Sequence, residues 1–452
     1  MFTVDELLKA TKGKLISGGP RVSIKGISID SRVIKRGEAF IALKGNNFDG
    51  HNFIHQAIGK KASCILYEAG VIGQKPKGIV FIKVRDTTKA LGDIARFHRK
   101  KFTIPVIAVT GSNGKTTTKE MIAWALSGKY KVLKNIGTKN NHIGLPMALL
   151  GLDHSYDAAV LEVGTNHFGE VEYLAKICLA NIGVITNIGP AHLEYFKSLN
   201  GVFREKSTLT KYLRQPSVAI LNADDSLLKK GSAAKKDQVV FGVGIKNKSD
   251  FSASNIKDLA GKMEFLVNQK YKFTLKTLGY YNIYNALIAI TVARLFGMEY
   301  NRIVKRLSGF RFPENRLKLV RFNNIQFIDD TYNSNPLSLK AALEALASFK
   351  TGGRRIFVMG DMLELGKDRE SFHYQAGLQA AGICDIFISV GRLSSLASEA
   401  LKAHGRSVKN IFNCATSLEA RDILYKKISP RRDDIVLVKG SRMMRMEEVF
   451  KV

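Results

Sequence analysis

The stretch IAVTGSNGKTTTKEMIAWAL, residues 107–126, decides the fold class. It begins as an apolar strand, turns through glycines, and ends at helical spacing, with Met121, Trp124 and Ala125 as its apolar positions. A strand that turns in this way into a helix gathers backbone N–H groups at the helix start, where the peptide dipoles favour an anion. Gly111 and Gly114 admit dihedrals and close approaches that a side chain would block, and Ser112, Asn113 and Thr117 complete the loop. Lys115 adds a point charge, and the Thr116 hydroxyl is placed to ligate the Mg²⁺ that accompanies a nucleoside triphosphate. The standard pattern G-x-x-x-x-G-K-[ST] would need glycine at position 109, where this chain has Val109. The expectation is a shortened phosphate loop in a nucleotide-using enzyme, rather than an ordinary turn with a solvated lysine.

With 452 residues, 45% of them hydrophobic, the chain has material for three domains with real cores. The first twenty residues hold no apolar run like a secretory signal, and no stretch reaches the ~18 apolar residues of a membrane span. The expectation is a soluble, cytoplasmic protein without membrane insertion. Cys64, Cys178, Cys384 and Cys414 are far apart and form no C-x-x-C pair, so reduced structural thiols are expected, not a disulfide framework or a zinc site. The net charge of +31 raises the question of nucleic acid. The basic residues are scattered singly and in short clusters without an aromatic platform, which favours a generally basic surface over a nucleic-acid site.

Strand and helix patterns form three blocks, 1–100, 101–312 and 313–452, and the fold class expected is α/β with three domains. The first is a small α/β unit ending in the polar helix-like KALGDIARFHRKK. The second is a parallel-sheet nucleotide domain that includes NIYNALIAITVARLFG, apolar nearly all round and hence a buried helix. The third is Rossmann-like, with Asn335 as a natural N-cap, Pro336 at the first helical position, and Leu339, Ala342, Leu343 and Leu346 on one helix face. Apolar strands repeatedly stop at polar residues, which places Glu162, Asn187, Asp224, Asp330, Asp361 and Lys439 at the carboxyl edges where open parallel sheets bind ligands.

Taken singly, the polar residues leave alternatives open. Glu162 reads as a second Mg²⁺ ligand or a surface glutamate, and His192 as a ligand or a structural histidine. Lys206 sits on the amphipathic FREKSTL. Arg316 suits phosphate charge and Asp330 a ribose hydroxyl, against a solvated arginine and a helix-capping aspartate.

In combination and in order, IDSR, FIALKGNNFDGHNF, VTGSNGKTTTKE, NNHIGLP, EVGTNHFGE, TNIGPAHLE, DDTYNSNP, GDMLELG and VLVKGSR resemble the Mur ligase family of bacterial cell-wall synthesis over nearly the whole chain. The family's loop, T-G-[ST]-x-G-K-T-[ST], accounts for Val109. DDTYNSNP and GDMLELG favour the member that joins D-alanyl-D-alanine to UDP-N-acetylmuramoyl-tripeptide. The resemblance implies an ATP-dependent amide ligase of peptidoglycan synthesis that works through an acyl phosphate with two Mg²⁺, acts as a monomer and takes no nucleic acid. It implies catalytic roles for Lys115, His192 and Lys206, with Lys206 carbamylated, and metal binding by Thr116, Glu162, His192 and Lys206. It places Asn282 and Asn285 around the adenine, Arg316 near the ATP phosphates and Asp330 on the ribose. Ser31 and Arg32 fall in the UDP-contacting segment, and Asn141, Asn333 and Asn335 in substrate-binding motifs. Two positions depart from the family pattern: Tyr281 replaces the histidine of H-N-x-x-N, and Asn315 stands where glycine is usual before Arg316. A sibling ligase acting on another muramyl peptide or folate is the same-class alternative, and an ATPase acting on nucleic acid the alternative from another class.

Overall fold

The computed structural model describes residues 2–45, 48–68, 76–231, 237–259 and 261–450; Asn46 and Asn47 of the FIALKGNNFDGHNF stretch lie outside them. The chain forms two compact units, one of Met1–Ala108, Lys131–Gly164 and Glu170–Asn181, the other of Val109–Tyr130, Thr165–Gly169 and Ile182–Val452.

In the first unit a five-stranded sheet has the spatial order Lys14–Ser17, Val80–Lys83, Cys64–Tyr67, Ala39–Ile41, Ile27–Ser28, antiparallel at its first pair and parallel elsewhere. Side chains alternate across the strands, so Cys64, Leu66, Val80 and Ile82 enter one core, and Ile65, Tyr67 and Phe81 enter another. The helix Thr87–Arg99 covers the first core with Leu91 and Ile94. This is the segment read as polar and helix-like, and its polar character does not exclude burial, since even Arg99 is buried. The Arg99 guanidinium is tolerated there because it donates to the carbonyls of Cys178, Phe102 and Ile104.

Strand β1 (Val106–Thr110) leads into the glycine turn and helix α1 (Lys115–Leu126). Trp124 on α1 does not join the core as its spacing suggested. It is 37% exposed and lies under the Arg306 guanidinium, 4.1 Å from the ring centre. Strand β2 (Ala158–Glu162) pairs in parallel with Val132–Lys134 in the first unit. In the second unit β3 (Ile182–Ile185) precedes helix α2 (Leu199–Lys211), and β3 pairs in parallel with β4 (Ser217–Asn222). Helix α3 (Tyr281–Leu295) is buried continuously from Asn282 to Ala293, as its all-round apolarity requires.

The chain then builds β5 (Ile325–Asp330), α4 (Pro336–Ser348), β6 (Arg355–Gly360) and, after two further parallel strands, β7 (Ile435–Lys439). The six-stranded sheet has the order Lys318–Phe322, β5, β7, β6, Ile386–Val390, Ile411–Cys414, with only the first pair antiparallel. Its inner strands are buried on both faces: Phe357, Met359 and Leu437 meet α4 through Leu339, Ala342, Leu343 and Leu346, while Ile356, Val358, Val436 and Val438 meet Leu424 and Phe450. Asn335 caps α4 through a capping box with Ser338, and Pro336 occupies the first turn. All four cysteines are free and buried, and burial pushes the Cys178 thiol up to about 12. Among the described residues no helix is long and apolar enough to cross a membrane.

Phe357 has no exposed surface. Phe357→Ala is expected to cost about 3–5 kcal/mol in equilibrium denaturation. Leu418→Ala, at a position 49% exposed, should cost under about 1 kcal/mol.

Candidate active site

The turn after β1 is built for backbone, not for side chains. Gly111 has φ +143°, and a Cβ there would stand 1.9 Å from Thr186 Oγ1; Gly114 has φ +79°, and its Cβ would stand 2.7 Å from Asn285 Oδ1. The loop is anchored to the segment after β3. Asn187 accepts the Ser112 N–H on its carbonyl and the Asn113 N–H on Oδ1, both at 2.9 Å, and Thr186 Oγ1 donates to the Asn113 carbonyl. Ser112 Oγ donates to the Gly189 carbonyl at 3.0 Å. Ser112 and Asn113 therefore hold the loop's shape with donors that are already engaged. The first bond inside α1 runs from Thr118 N–H to Gly114 O, so Lys115, Thr116 and Thr117 have no carbonyl within the helix to donate to. Lys115 Nζ folds back onto the carbonyls of Gly111 and Ser112, at 2.9 and 3.3 Å.

Arg316 reaches this loop from the turn before the six-stranded sheet. Its Nη2 donates to Thr116 Oγ1 at 3.0 Å, and its guanidinium lies 3.9 Å from the Tyr332 ring centre. Asn315 explains itself structurally: its φ of +60° is the left-handed region that asparagine tolerates best after glycine, and its amide donates to Thr331 Oγ1 at 2.7 Å. Asp330 accepts the Leu317 N–H and is paired with buried Lys439, which also donates to the Asn333 carbonyl. Asn335 exchanges two amide hydrogen bonds with Asn113 at 3.1 and 2.8 Å while capping α4.

Asn282 and Asn285 form a buried relay behind the loop. Thr118 Oγ1 donates to Asn285 Oδ1, Asn285 Nδ2 to Asn282 Oδ1, and Asn282 Nδ2 to Thr277 Oγ1, over 2.9, 2.9 and 2.7 Å. Tyr281, the departure from the family pattern, packs edge-on against Tyr280, and burial raises its phenol to about 12.

Lys206 on α2 is only 1% exposed. Burial first, and then the charge of Lys115, hold its amine well below the ordinary lysine range, against a smaller upward pull from Glu205. Glu205 accepts the Thr165 hydroxyl at 3.3 Å and the Gly169 N–H at 2.9 Å. His192 has left-handed φ +55°, and its Nδ1 lies 2.5 Å from Glu364 Oε2. Burial lowers the His192 pKa, the carboxylate opposes that, and the charges of Lys115 and Lys206 lower it further. Electrostatics thus link Lys115, His192 and Lys206. In the first unit Glu162, 1% exposed, accepts Asn140 Nδ2 on Oε1 at 2.7 Å, and its buried Oε2 has no hydrogen-bond partner. An unpartnered buried carboxylate oxygen is suited to a cation and poorly suited to an apolar core.

Three Mur ligase models match the chain: the catalytic domain over residues 23–99, the middle domain over 109–293 and the glutamate ligase domain over 315–442. A Bacillus subtilis protein named UDP-N-acetylmuramoyl-tripeptide--D-alanyl-D-alanine ligase is 32% identical over 99% of this chain and 97% of its own length. The chain belongs to the Mur ligase family. The crystal structure of MurF from Acinetobacter baumannii is similar with a TM-score of 0.90 and 33% identity, covering 99% of this chain and 97% of that one. MurF ligase from Thermotoga maritima in complex with ADP gives 0.82 and 26%, covering 94% and 96%.

Other residues read from the Mur ligase motifs lie apart from the loop's hydrogen bonds. Ser31 is buried and donates to Gln56 Oε1, whereas Arg32, 78% exposed, grips Asp30 through Nε and Nη2 and holds that carboxyl down at about 2. Asn141 Oδ1 accepts the Ile143 and Gly144 N–H groups just ahead of the helix Gly144–Leu150. The motif reading gave no role to Glu364, Glu205 or Asn140. GDMLELG and EVGTNHFGE were visible as signatures, but the partners of their carboxylates lie far along the chain.

Gly111→Ala is expected to weaken ADP binding by about 100-fold in calorimetry, because the loop must shift away from Thr186. Gly19→Ala, with nothing within 4 Å, should leave it unchanged. Lys206→Met is expected to raise the apo protein's thermal midpoint in CO₂-free buffer, by about 1 kcal/mol of stability at neutral pH. The folded lysine binds its proton more weakly than the unfolded one, so that gain should shrink as pH rises toward the ordinary lysine range.

Proposed function

We propose that this protein joins D-alanyl-D-alanine to UDP-N-acetylmuramoyl-tripeptide, with cleavage of ATP to ADP and phosphate, in peptidoglycan precursor synthesis. The observation that carries the reading is the match along 99% of the chain to a relative bearing that name. The MurF ligase complex with ADP supports ATP as the nucleotide.

The tripeptide carboxylate attacks the γ-phosphorus of ATP, ADP leaves, and an acyl phosphate results. The dipeptide amine then attacks the acyl carbon, loses a proton and expels phosphate. The reactants of the first step are both anions, so the chain must bring positive charge to them. Lys115 and the helix-start N–H groups receive phosphate oxygens, Arg316 adds charge beside Thr116, and Asp330 takes the ribose. The residues that would hold Mg²⁺ are Thr116, Glu162, His192 and Lys206; bound Mg²⁺ supplies charge neutralisation between nucleotide and carboxylate. The unpartnered Glu162 Oε2 supports this set. The unprotonated Lys206 amine would add to CO₂ and release one proton, giving an anionic carbamate with oxygen donors. Asn282 and Asn285 back the loop near the adenine; Ser31 and Arg32 serve the UDP moiety, and Asn141, Asn333 and Asn335 the peptide.

The domains run 1–100 for the UDP-sugar, 101–312 for ATP and 313–452 for the Rossmann-like part. Closure of the last over ATP would exclude water from the acyl phosphate. The protein works as a cytoplasmic monomer without nucleic acid.

Phosphate release should need both UDP-N-acetylmuramoyl-tripeptide and D-alanyl-D-alanine. Equal release with glutamate in place of the dipeptide would overturn the assignment. Lys206→Ala should abolish ligation, with partial recovery on adding bicarbonate or a short carboxylic acid; full activity without additive would refute the carbamate.

A further inference from the structure

The loop after β6 is held at every step. Asp361 accepts the Ser394 N–H on Oδ1 at 2.7 Å and the Ser441 N–H on its carbonyl at 3.0 Å. Buried His373 Nε2 accepts the Met362 N–H at 2.9 Å, and Ser441 Oγ accepts the Leu363 N–H at 2.8 Å. What this anchored loop presents is Glu364, whose carbonyl accepts the Glu194 N–H at 3.0 Å and whose carboxylate meets His192 Nδ1 at 2.5 Å. The turn bearing His192 is therefore gripped twice, by backbone and by side chain. Gly366 closes the junction: its φ is +67°, and a Cβ there would lie 3.3 Å from Glu194 Cα.

Both residues of the pair are left-handed without being glycine, at φ +55° for His192 and +63° for Glu364. Such conformations persist where the surroundings over-determine them, and they gather at functional sites. The Phe196 ring stands edge-on to the imidazole at 6.3 Å, so the ring is confined from a second direction. A carboxylate that accepts one imidazole N–H fixes the tautomer and leaves the other nitrogen's lone pair for a metal.

We propose that Glu364 is a positioning residue for ligation: it holds the His192 ring with Nδ1 as donor, so that Nε2 is the nitrogen offered to the divalent cation. This rests on the reading of His192 as a metal ligand. Because the carboxylate belongs to the loop after β6 and the imidazole to the segment after β3, correct seating of that loop becomes a condition for a competent cation site.

The test is a titration of Mn²⁺ in the presence of ADP, read by electron paramagnetic resonance, on wild type, Glu364→Ala, Glu364→Gln, His192→Ala and the double variant Glu364→Ala/His192→Ala. Glu364→Ala is expected to weaken Mn²⁺ binding by about 10- to 100-fold. Glu364→Gln, whose amide oxygen still accepts from Nδ1, should lose clearly less and keep the wild-type thermal midpoint. The double variant should bind no more weakly than His192→Ala alone. Wild-type Mn²⁺ affinity in Glu364→Ala, equal losses in the Ala and Gln variants, or full additivity in the double variant would overturn the proposal. If Glu364→Ala does not fold, Glu364→Gln decides by the imidazole ¹⁵N shifts: retained protonation at Nδ1 supports the role, and a mixed tautomer overturns it. Unchanged Mn²⁺ affinity in His192→Ala would instead sink the ligand assignment of His192 itself.

Discussion

An amine as buried as that of Lys206, with Lys115 for an electrostatic neighbour, cannot keep a proton cheaply, and the site is arranged around that constraint. Burial weakens the amine's hold on its proton, and the unprotonated amine is the nucleophilic form. The same burial would be a plain loss of stability if the residue stayed an amine in an apolar core. Glu205 pulls the other way, and its carboxylate oxygens also take the Thr165 hydroxyl and the Gly169 N–H.

The parallel sheets then decide where that base's companions stand. In the six-stranded sheet β7 lies between β5 and β6, so Asp330, Lys439 and the loop from Asp361 share one carboxyl edge. The Asp330–Lys439 pair and the Asn333 carbonyl close part of that edge, while the turn at Asn315 aims Arg316 at Thr116. The opposite side of the loop is fixed by Thr186, Asn187 and Gly189 after β3. Strand ends and capped helices thus position the donors.

What was legible in the sequence follows the range of the interaction. The glycine turn, the Asn335 cap, the all-apolar α3 and the strand ends depend on neighbours within a few residues, so spacing and turn chemistry carried them. The burial of Arg99 did not show, because its three carbonyl acceptors include Cys178, far along the chain. Trp124 escaped the core because Arg306, on a distant helix, offered its ring a cation. Asn282 and Asn285 were recognisable as a motif, yet their relay to Thr118 and Thr277 needs two helices brought together. Glu364 was one letter of a signature until the fold placed it on His192.

Arg316 shows how such placements interact. The hydroxyl of Thr116 receives its guanidinium, and that hydroxyl is also the oxygen a divalent cation would use. Two cations converging on one oxygen repel, and only intervening phosphate oxygens compensate that repulsion. The arginine is stacked on Tyr332, and its turn includes left-handed Asn315 and Leu317. The same physical demand, positive charge gathered where two anions would meet in the proposed reaction, accounts for the guanidinium beside Thr116 as well as for Lys115 at the head of the helix.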